Sequence, residues 1–128
     1  MGQPAAKKGD RVVAIDLHLI QPPGPTSPVS VPHPFAGVID GGLSSNVKIG
    51  GQFAATVDST ATNTPSHIPI GGTFVKPPSN KATILTGSTT VQINNKAAAR
   101  AGDTARTCND PSDLPAGTVV AVGTVLIG

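Results

Sequence analysis

The chain has 128 residues, which is enough for one domain with its own core but not for two. It contains 15 Gly and 13 Pro, a composition that argues against long helices and favours short strands joined by turns. The formal charge of +2 comes from nine basic residues that form no run, and the chain has no Trp or Tyr on which bases would stack, so we expect no nucleic-acid binding.

The core has to be built from small and β-branched side chains. All seven acidic residues are Asp, there are only three Phe, and Val, Ile, Ala and Thr supply most of the apolar surface. A small fold with such a shallow core typically needs a disulfide, a metal or a partner to stabilise it. The single cysteine, Cys108, excludes an internal disulfide and leaves the other two.

The sequence shows no targeting or membrane-spanning segment. Its first residues lack a basic stretch followed by an apolar one, and the longest apolar run, residues 119–128, is about half as long as a membrane span requires. We therefore expect a protein that is made in the cytoplasm without a signal peptide.

In chain order, the first recognisable element is PAAKKGD, residues 4–10, and a closely related segment, AAARAGD, recurs at residues 97–103. Between them, VKIGGQFAATVD from Val47 aligns with VQINNKAAARAGD from Val91, with matching Val-x-Ile and Ala-Ala positions. A β-branched run and a glycine turn precede each copy, GVIDGGLSSN before Val47 and ATILTGSTT before Val91. This pattern predicts that each unit enters through a β-hairpin.

The C-terminal stretch GTVVAVGTVLIG, residues 117–128, predicts a third hairpin in which TVVA and TVLI flank a Val-Gly turn. It stops where the other two units continue, and PAAKKGD at the N-terminus supplies the missing continuation. The third repeat is thus split between the two termini, and residues 1–128 form a single domain.

The predicted fold is all-β: a small pseudo-threefold structure of three β-hairpin repeats, with hairpins around residues 38–50, 83–94 and 117–128. The alternative is that Ala-rich segments resemble one another by chance, or that residues 95–101 form a short helical turn.

Four residues are candidate metal ligands: His18, His33, His67 and Cys108. Three of them follow the Asp of a repeat, each in a predicted loop, and His33 lies in the long Pro-rich loop of the first unit. Three His and one Cys match the four tetrahedral N and S ligands of a closed structural zinc site. If the repeats circle an axis, these loops meet at one end, where one structural zinc ion would hold a loop-rich apex together. The alternative is three unrelated surface histidines and a buried free cysteine.

No catalytic constellation is visible, and we expect no enzyme. Without Glu the chain cannot carry a His-Glu-x-x-His motif, and a closed four-ligand site leaves no position for water. Cys108 has only Arg106 near it in sequence to activate it as a nucleophile. An open zinc site held by the three histidines, with Cys108 uninvolved, stays open as the alternative of a small zinc hydrolase.

PAAKKGD and AAARAGD resemble the Pro-Ala-Ala-Arg motif of PAAR-domain proteins, and the resemblance extends over the predicted hairpins and the His/Cys set. It implies a small cone, with the three predicted hairpins at its base, that forms the sharp tip of the spike in bacterial type VI secretion systems and related contractile injection machines. There the tip aids membrane puncture and effector delivery. It implies one monomer seated on a trimeric β-helical spike protein of the VgrG or phage central-spike kind, with a structural zinc held near the apex by His and Cys. Effectors are a further partner that the resemblance allows, and contact with the target membrane would be transient.

The three copies depart from the family motif in different ways. The copy at 4–7 has Lys7 for the motif's Arg, the copy at 97–100 has Ala97 for its Pro, and the copy at 53–56 lacks the basic residue and the Gly-Asp that follows. The role of the basic residue is therefore open. A free-standing zinc-stabilised β binding module remains a second alternative, although three Phe offer it little aromatic surface for a glycan or a lipid.

Overall fold

The computed structural model describes residues 2–128, which form strands and turns without a helix. The strands are β1 (Gln3–Pro4), β2 (Arg11–Gln21), β3 (Val29–Gly41), β4 (Lys48–Ile49), β5 (Gln52–Phe53), β6 (Thr60–Asn63), β7 (Thr73–Phe74), β8 (Lys81–Ile84), β9 (Gln92–Ile93), β10 (Lys96–Ala97), β11 (Thr104–Thr107), β12 (Leu114–Val120) and β13 (Leu126–Ile127). Within residues 2–128 there is no helix of the length and hydropathy needed to cross a membrane. The all-β prediction is confirmed for this part of the chain.

Six strands close into a barrel-like sheet. Their order is β12-β11-β8-β6-β3-β2, and β2 pairs back with β12, with Val13 opposite Thr118 and Arg11 opposite Val120. All neighbours in this sheet are antiparallel, and β7 extends it beside the far end of β2. Because a closed sheet pairs its own edges, the barrel leaves few free backbone groups, and its narrow interior is filled by side chains.

The two longest strands, β2 and β3, form a hairpin along most of their length. Side chains alternate between interior and surface, so Asp16 and His18 on β2 and His33 on β3 are all buried. The prediction that His18 and His33 lie in loops is wrong, since both are in strands. The prolines on either side of His33 are tolerated because β6 pairs only with the Gly37–Gly41 part of β3, which leaves the other edge of β3 free at the prolines.

Three alanines from distant parts of the chain form a closed ring of backbone hydrogen bonds. The Ala6 amide donates to the Ala99 carbonyl at 2.9 Å, the Ala99 amide to the Ala55 carbonyl at 3.0 Å, and the Ala55 amide to the Ala6 carbonyl at 3.0 Å. Isolated β-bridges repeat the same cyclic order: Ala5 with Arg100, Lys7 with Ala54, and Thr56 with Ala98. Each of the three segments therefore contacts the other two in the same way. Residues 95–101 are strand and turn, so the helical alternative is wrong.

The residue that ends each of these segments accepts a hydrogen bond from the backbone amide three residues earlier. The donor and acceptor pairs are Lys7 with Asp10, Thr56 with Ser59, and Arg100 with Asp103. In the two copies that end in Asp, the basic side chain also pairs with the carboxylate, at 3.0 Å for Lys7 and 3.3 Å for Arg100. The middle copy replaces both charged residues by neutral ones. The basic residue thus neutralises a buried carboxylate, and where the carboxylate is absent no base is needed.

The core has two parts, both made mostly of small and β-branched residues. Inside the barrel, Phe35, Ile39 and Ile84 are the largest side chains, each at most 2% exposed, and alanines fill the space between them. A second, smaller cluster consists of Ala5, Ala54, Ala98, Ile93 and Ile127. The alanines of both clusters leave no room for longer side chains, which would overpack these contacts.

Two short hairpins have two-residue turns in which both residues have positive φ. Gly50 and Gly51 join β4 to β5, and Asn94 and Asn95 join β9 to β10. The hairpins lie at residues 48–53 and 92–97, further along the chain than the predicted ones around 38–50 and 83–94, which do not form. A third short strand pair joins β13 to β1.

The predicted hairpin within residues 117–128 is also wrong. Thr118–Val120 pair with β2, whereas Leu126–Ile127 pair with β1, so TVVA and TVLI do not face each other. The β-branched run before each repeat is a barrel strand with partners distant in sequence. A buried strand pairs with the neighbour that covers its apolar face. A glycine turn next to the strand in sequence therefore does not determine its partner.

Candidate metal centre

Four buried side chains converge in the fold, and their potential ligand atoms all lie within 4.8 Å of one another: Asp16, His18, His67 and Cys108. Asp16 and His18 are two residues apart on β2 and therefore share its interior face. Cys108 follows the last residue of β11, and His67 comes from the loop after β6. The closed sheet thus brings together residues that span 92 positions of the sequence.

Three distances within this cluster are close to those between ligands of one ion. Cys108 Sγ lies 3.7 Å from His18 Nε2 and 3.4 Å from Asp16 Oδ2, and His67 Nε2 lies 2.9 Å from Asp16 Oδ2. Nitrogen and sulfur ligands about 2.0–2.3 Å from a common zinc ion are themselves separated by roughly 3–4 Å in a tetrahedral arrangement. The cluster therefore has the size of a mononuclear site.

Outer contacts fix the orientation of the His18 ring. Asp110 Oδ2 lies 3.4 Å from His18 Nδ1 and accepts a hydrogen bond from the Leu19 amide at 2.8 Å. Asn109 Oδ1 accepts from the Leu17 amide at 2.7 Å, so two consecutive residues after Cys108 bind the backbone of β2. With Nδ1 facing a carboxylate, His18 presents Nε2 towards Cys108, as is usual for metal-bound histidines.

His33 lies beside this cluster and has a free nitrogen. In the register of β2 and β3 it is directly opposite Asp16, and its ring centroid is 5.6 Å from that of His18 and 5.7 Å from that of His67. Nδ1 lies 2.8 Å from the carbonyl oxygen of Val31, so it carries the proton and donates it there. Nε2 is buried without a hydrogen-bond partner. A buried lone pair is costly unless something binds it, and a metal ion would satisfy this one.

Two phenylalanine rings pack against the histidines of the cluster and of its neighbour His33. Phe74 packs against His18 and His33, and Phe35 packs against His67, with centroid separations between 5.5 and 5.9 Å. Burial lowers the pKa of His18, and the neighbouring His67 lowers it further. Burial also raises the pKa of the Cys108 thiol to about 11, with a contribution from the negative charge of Asp16. A metal would favour the thiolate and overcome this shift.

The structure thus brings together His18, His67 and Cys108 of the four candidate ligands and places His33 against the same group. It adds Asp16, which the sequence analysis missed. The spacing Asp16-x-His18 is the signal that would have found it, because two residues separated by one lie on the same face of a strand. In a loop, as predicted for His18, this spacing would not place the two side chains on one face.

These features define a small, all-β protein with a buried cluster able to hold a metal such as zinc. A profile of the PAAR motif matches residues 29–108, and the chain belongs to this family. The family resemblance is thereby confirmed. PAAR proteins are structural and non-enzymatic components of the type VI secretion spike tip, so the prediction that the chain is no enzyme is confirmed as well. No curated protein matches the chain.

The donor set fits a structural ion. Imidazole nitrogens and a thiolate are ligands that zinc prefers, and His18 and Cys108 are at most 3% exposed. When bound, such an ion supplies cross-links between distant segments of a chain. The clustered residues belong to β2, the loop that carries His67 and the end of β11.

Proposed function

We propose that this protein is the tip that sharpens and caps a trimeric β-helical spike of a contractile injection machine, of the type VI secretion or phage-tail-like kind. The observation that carries the proposal is the ring of hydrogen bonds among Ala6, Ala55 and Ala99. This ring relates three segments of one chain in cyclic order, as the three chains of a trimer are related. A monomer with this internal order would be a pseudo-threefold cone able to match a threefold axis.

The partner in this proposal is a VgrG-like trimer that binds one monomer. The end of a β-helix exposes unpaired backbone groups that promote aggregation unless they are covered. Three short strand pairs, β4 with β5, β9 with β10 and β13 with β1, would supply the covering surface at the base. Because β13 and β1 come from opposite ends of the sequence, the third unit would be split between the termini of one domain formed by residues 1–128.

The opposite end would be held by one structural zinc ion bound to His18, His33, His67 and Cys108. The shared cluster of three of these residues and the unpartnered Nε2 of His33 support this ligand set. A tip must withstand load during puncture, and an ion that joins four segments limits local opening without a large core. The machine would carry the tip from the cytoplasm to the target, with transient membrane contact and with effectors as possible cargo.

Binding to the spike can be tested with purified protein and a VgrG-type trimer, by native mass spectrometry. We expect one monomer per trimer. Leu126→Asp, at a residue of β13 that is 58% exposed, should weaken the complex, whereas Ile68→Asp, at a residue 71% exposed in the loop with His67, should not. Absence of a complex, or three monomers on one trimer, would contradict the proposal.

Metal content is measured separately, by elemental mass spectrometry of the unaltered chain and of Ala substitutions at the four proposed ligands. The expected result is one zinc per chain, lost or weakened in each variant together with thermal stability. Binding that is indifferent to Cys108 would instead favour an open three-histidine site.

A further inference from the structure

Asp16 lies at the centre of the candidate metal centre and is fully buried. One of its oxygens, Oδ1, accepts hydrogen bonds from Thr107 Oγ1 at 2.5 Å and from Asn109 Nδ2 at 3.5 Å. The other, Oδ2, contacts His67 Nε2 at 2.9 Å and Cys108 Sγ at 3.4 Å. The carboxylate is thus anchored through one oxygen, while the other faces two atoms of the kinds that bind zinc.

The contact between Asp16 Oδ2 and His67 Nε2 is favourable in a metal-bound site only if a positive charge lies between the two atoms. A histidine that ligates a metal through Nε2 has no proton there and presents a lone pair. A lone pair and a carboxylate oxygen about 3 Å apart are two acceptors, and they repel unless a positive charge lies between them. The ion bound to His67 is the charge available at this position.

The charge of the site leads to the same conclusion. A zinc ion with three neutral imidazoles and one thiolate carries one net positive charge, and a buried unpaired charge is strongly unfavourable. Asp16 is the carboxylate among the residues whose ligand atoms lie within 4.8 Å of one another, and its negative charge brings the total to zero. Asp110, the next nearest, faces the outer nitrogen of His18.

We propose that Asp16 binds the metal directly through Oδ2, as a fifth donor beside His18, His33, His67 and Cys108. This inference rests on the proposed metal centre. Zn²⁺ has no geometric preference of its own from its d electrons, so the protein sets the coordination number. The pairing of β2 with β3 places Asp16 directly opposite His33. With His18, His67 and Cys108 these two residues make five donors, one more than a four-ligand site needs.

Replacement of the zinc by Co²⁺ tests this inference, because the visible bands of tetrahedral cobalt are several-fold more intense than those of five-coordinate cobalt. A thiolate-to-cobalt band in the near ultraviolet reports Cys108 independently. We expect weak visible bands in the unaltered protein, and a several-fold gain in intensity in Asp16→Asn with the thiolate band retained. The matched control is Asp103→Asn, which removes another buried carboxylate, one whose side-chain partners are Arg100 and Thr86, and should leave the visible spectrum unchanged.

Identical visible spectra for the unaltered chain and Asp16→Asn would overturn the role of Asp16 while leaving the metal centre intact. A missing thiolate band in the unaltered chain would instead contradict the metal centre itself, and the inference with it. Zinc-edge X-ray absorption measures the number and kind of donors in the unaltered chain, so it does not depend on the folding of a variant. Four N or O donors and one sulfur would support the inference. Three N or O donors with one sulfur would overturn it.

Discussion

Gln3 lies directly opposite Ile127 in the antiparallel pairing of β1 with β13, so the two ends of the described chain are neighbours. In the other two short hairpins the equivalent partners, Gln52 with Ile49 and Lys96 with Ile93, are joined by two-residue turns. Gly128 and Gly2 occupy the corresponding turn positions. The third strand pair therefore resembles the other two with its turn opened.

A circular permutant should fold for this reason. If Gly128 is joined directly to Gly2, with Met1 omitted, the new Gly-Gly link can form the same kind of turn as Gly50-Gly51. New termini placed between Gly50 and Gly51 should then give a protein with the far-ultraviolet circular dichroism and cooperative thermal unfolding of the original. A control with new termini inside β2, between Ile15 and Asp16, should not fold. An unfolded first permutant would contradict the proposed split of the third repeat.

The recurrence of the alanine-rich segments was visible in the sequence because it depends on local residue identity. The Ala-Ala positions are visible as a pattern, and the second alanine of each pair takes part in the ring of hydrogen bonds. Strand partners were not predictable in this way. The run Thr118–Val120 pairs with β2, at the other end of the chain, and only closure of the barrel specifies that partner.

The candidate metal ligands also divide into those that residue type identifies and one that only strand register identifies. The residue types of His18, His67 and Cys108 identified them, since few other residues of the chain bind soft metals. Asp16 could not be distinguished from six other Asp without knowing that β2 is a strand whose interior face it shares with His18. A side chain's role in a buried cluster depends on register, which composition does not contain.

Ser59→Ala should destabilise the protein markedly, although it removes only one hydroxyl group. Ser59 is fully buried, and its Oγ accepts from the Thr56 amide at 2.9 Å and donates to the Gly42 carbonyl at 2.8 Å. Alanine leaves both backbone groups without partners, which costs about 1–3 kcal/mol for each. Chemical denaturation measures the loss, and Ser45→Ala at an exposed serine is the control, with a change below about 0.5 kcal/mol. Equal stability of the two variants would show that the ring does not depend on this contact.

The turn residue of each repeat segment should respond to substitution according to its backbone conformation. Gly9, Asp58 and Gly102 occupy equivalent positions and have φ of 93°, 77° and 90°. Gly102→Ala should cost about 1–2 kcal/mol although no atom lies within 4 Å of the added Cβ, because the cost is backbone strain. Asp58→Gly should be neutral or stabilising by up to about 1 kcal/mol, since its side chain is 65% exposed and its ion pair with Lys96 contributes little. Urea unfolding compares them, and a destabilised Asp58→Gly would assign that side chain a role that its contacts do not explain.

The stability of the protein in chelator should fall at alkaline pH because of Cys108. Burial raises the pKa of this thiol from 9.0 to about 11. Below pH 9 the thiol is protonated in both the folded and the unfolded chain, and the shift has its full stabilising effect. Between pH 9 and 11 the unfolded chain loses this proton while the folded chain keeps it, so the free energy of unfolding decreases as the pH rises. A difference of two pH units corresponds to roughly 2–3 kcal/mol.

The measurement is urea unfolding at several values between pH 8 and 11 in the presence of chelator, with Cys108→Ala as the matched variant. Lysine titration affects both proteins equally, so the difference between their slopes isolates the thiol. We expect the unaltered chain to lose about 2–3 kcal/mol more than the variant over this interval. Parallel curves would mean that Cys108 is no less solvated in the folded chain than in the unfolded one, which would contradict its burial against Asp16 and His18.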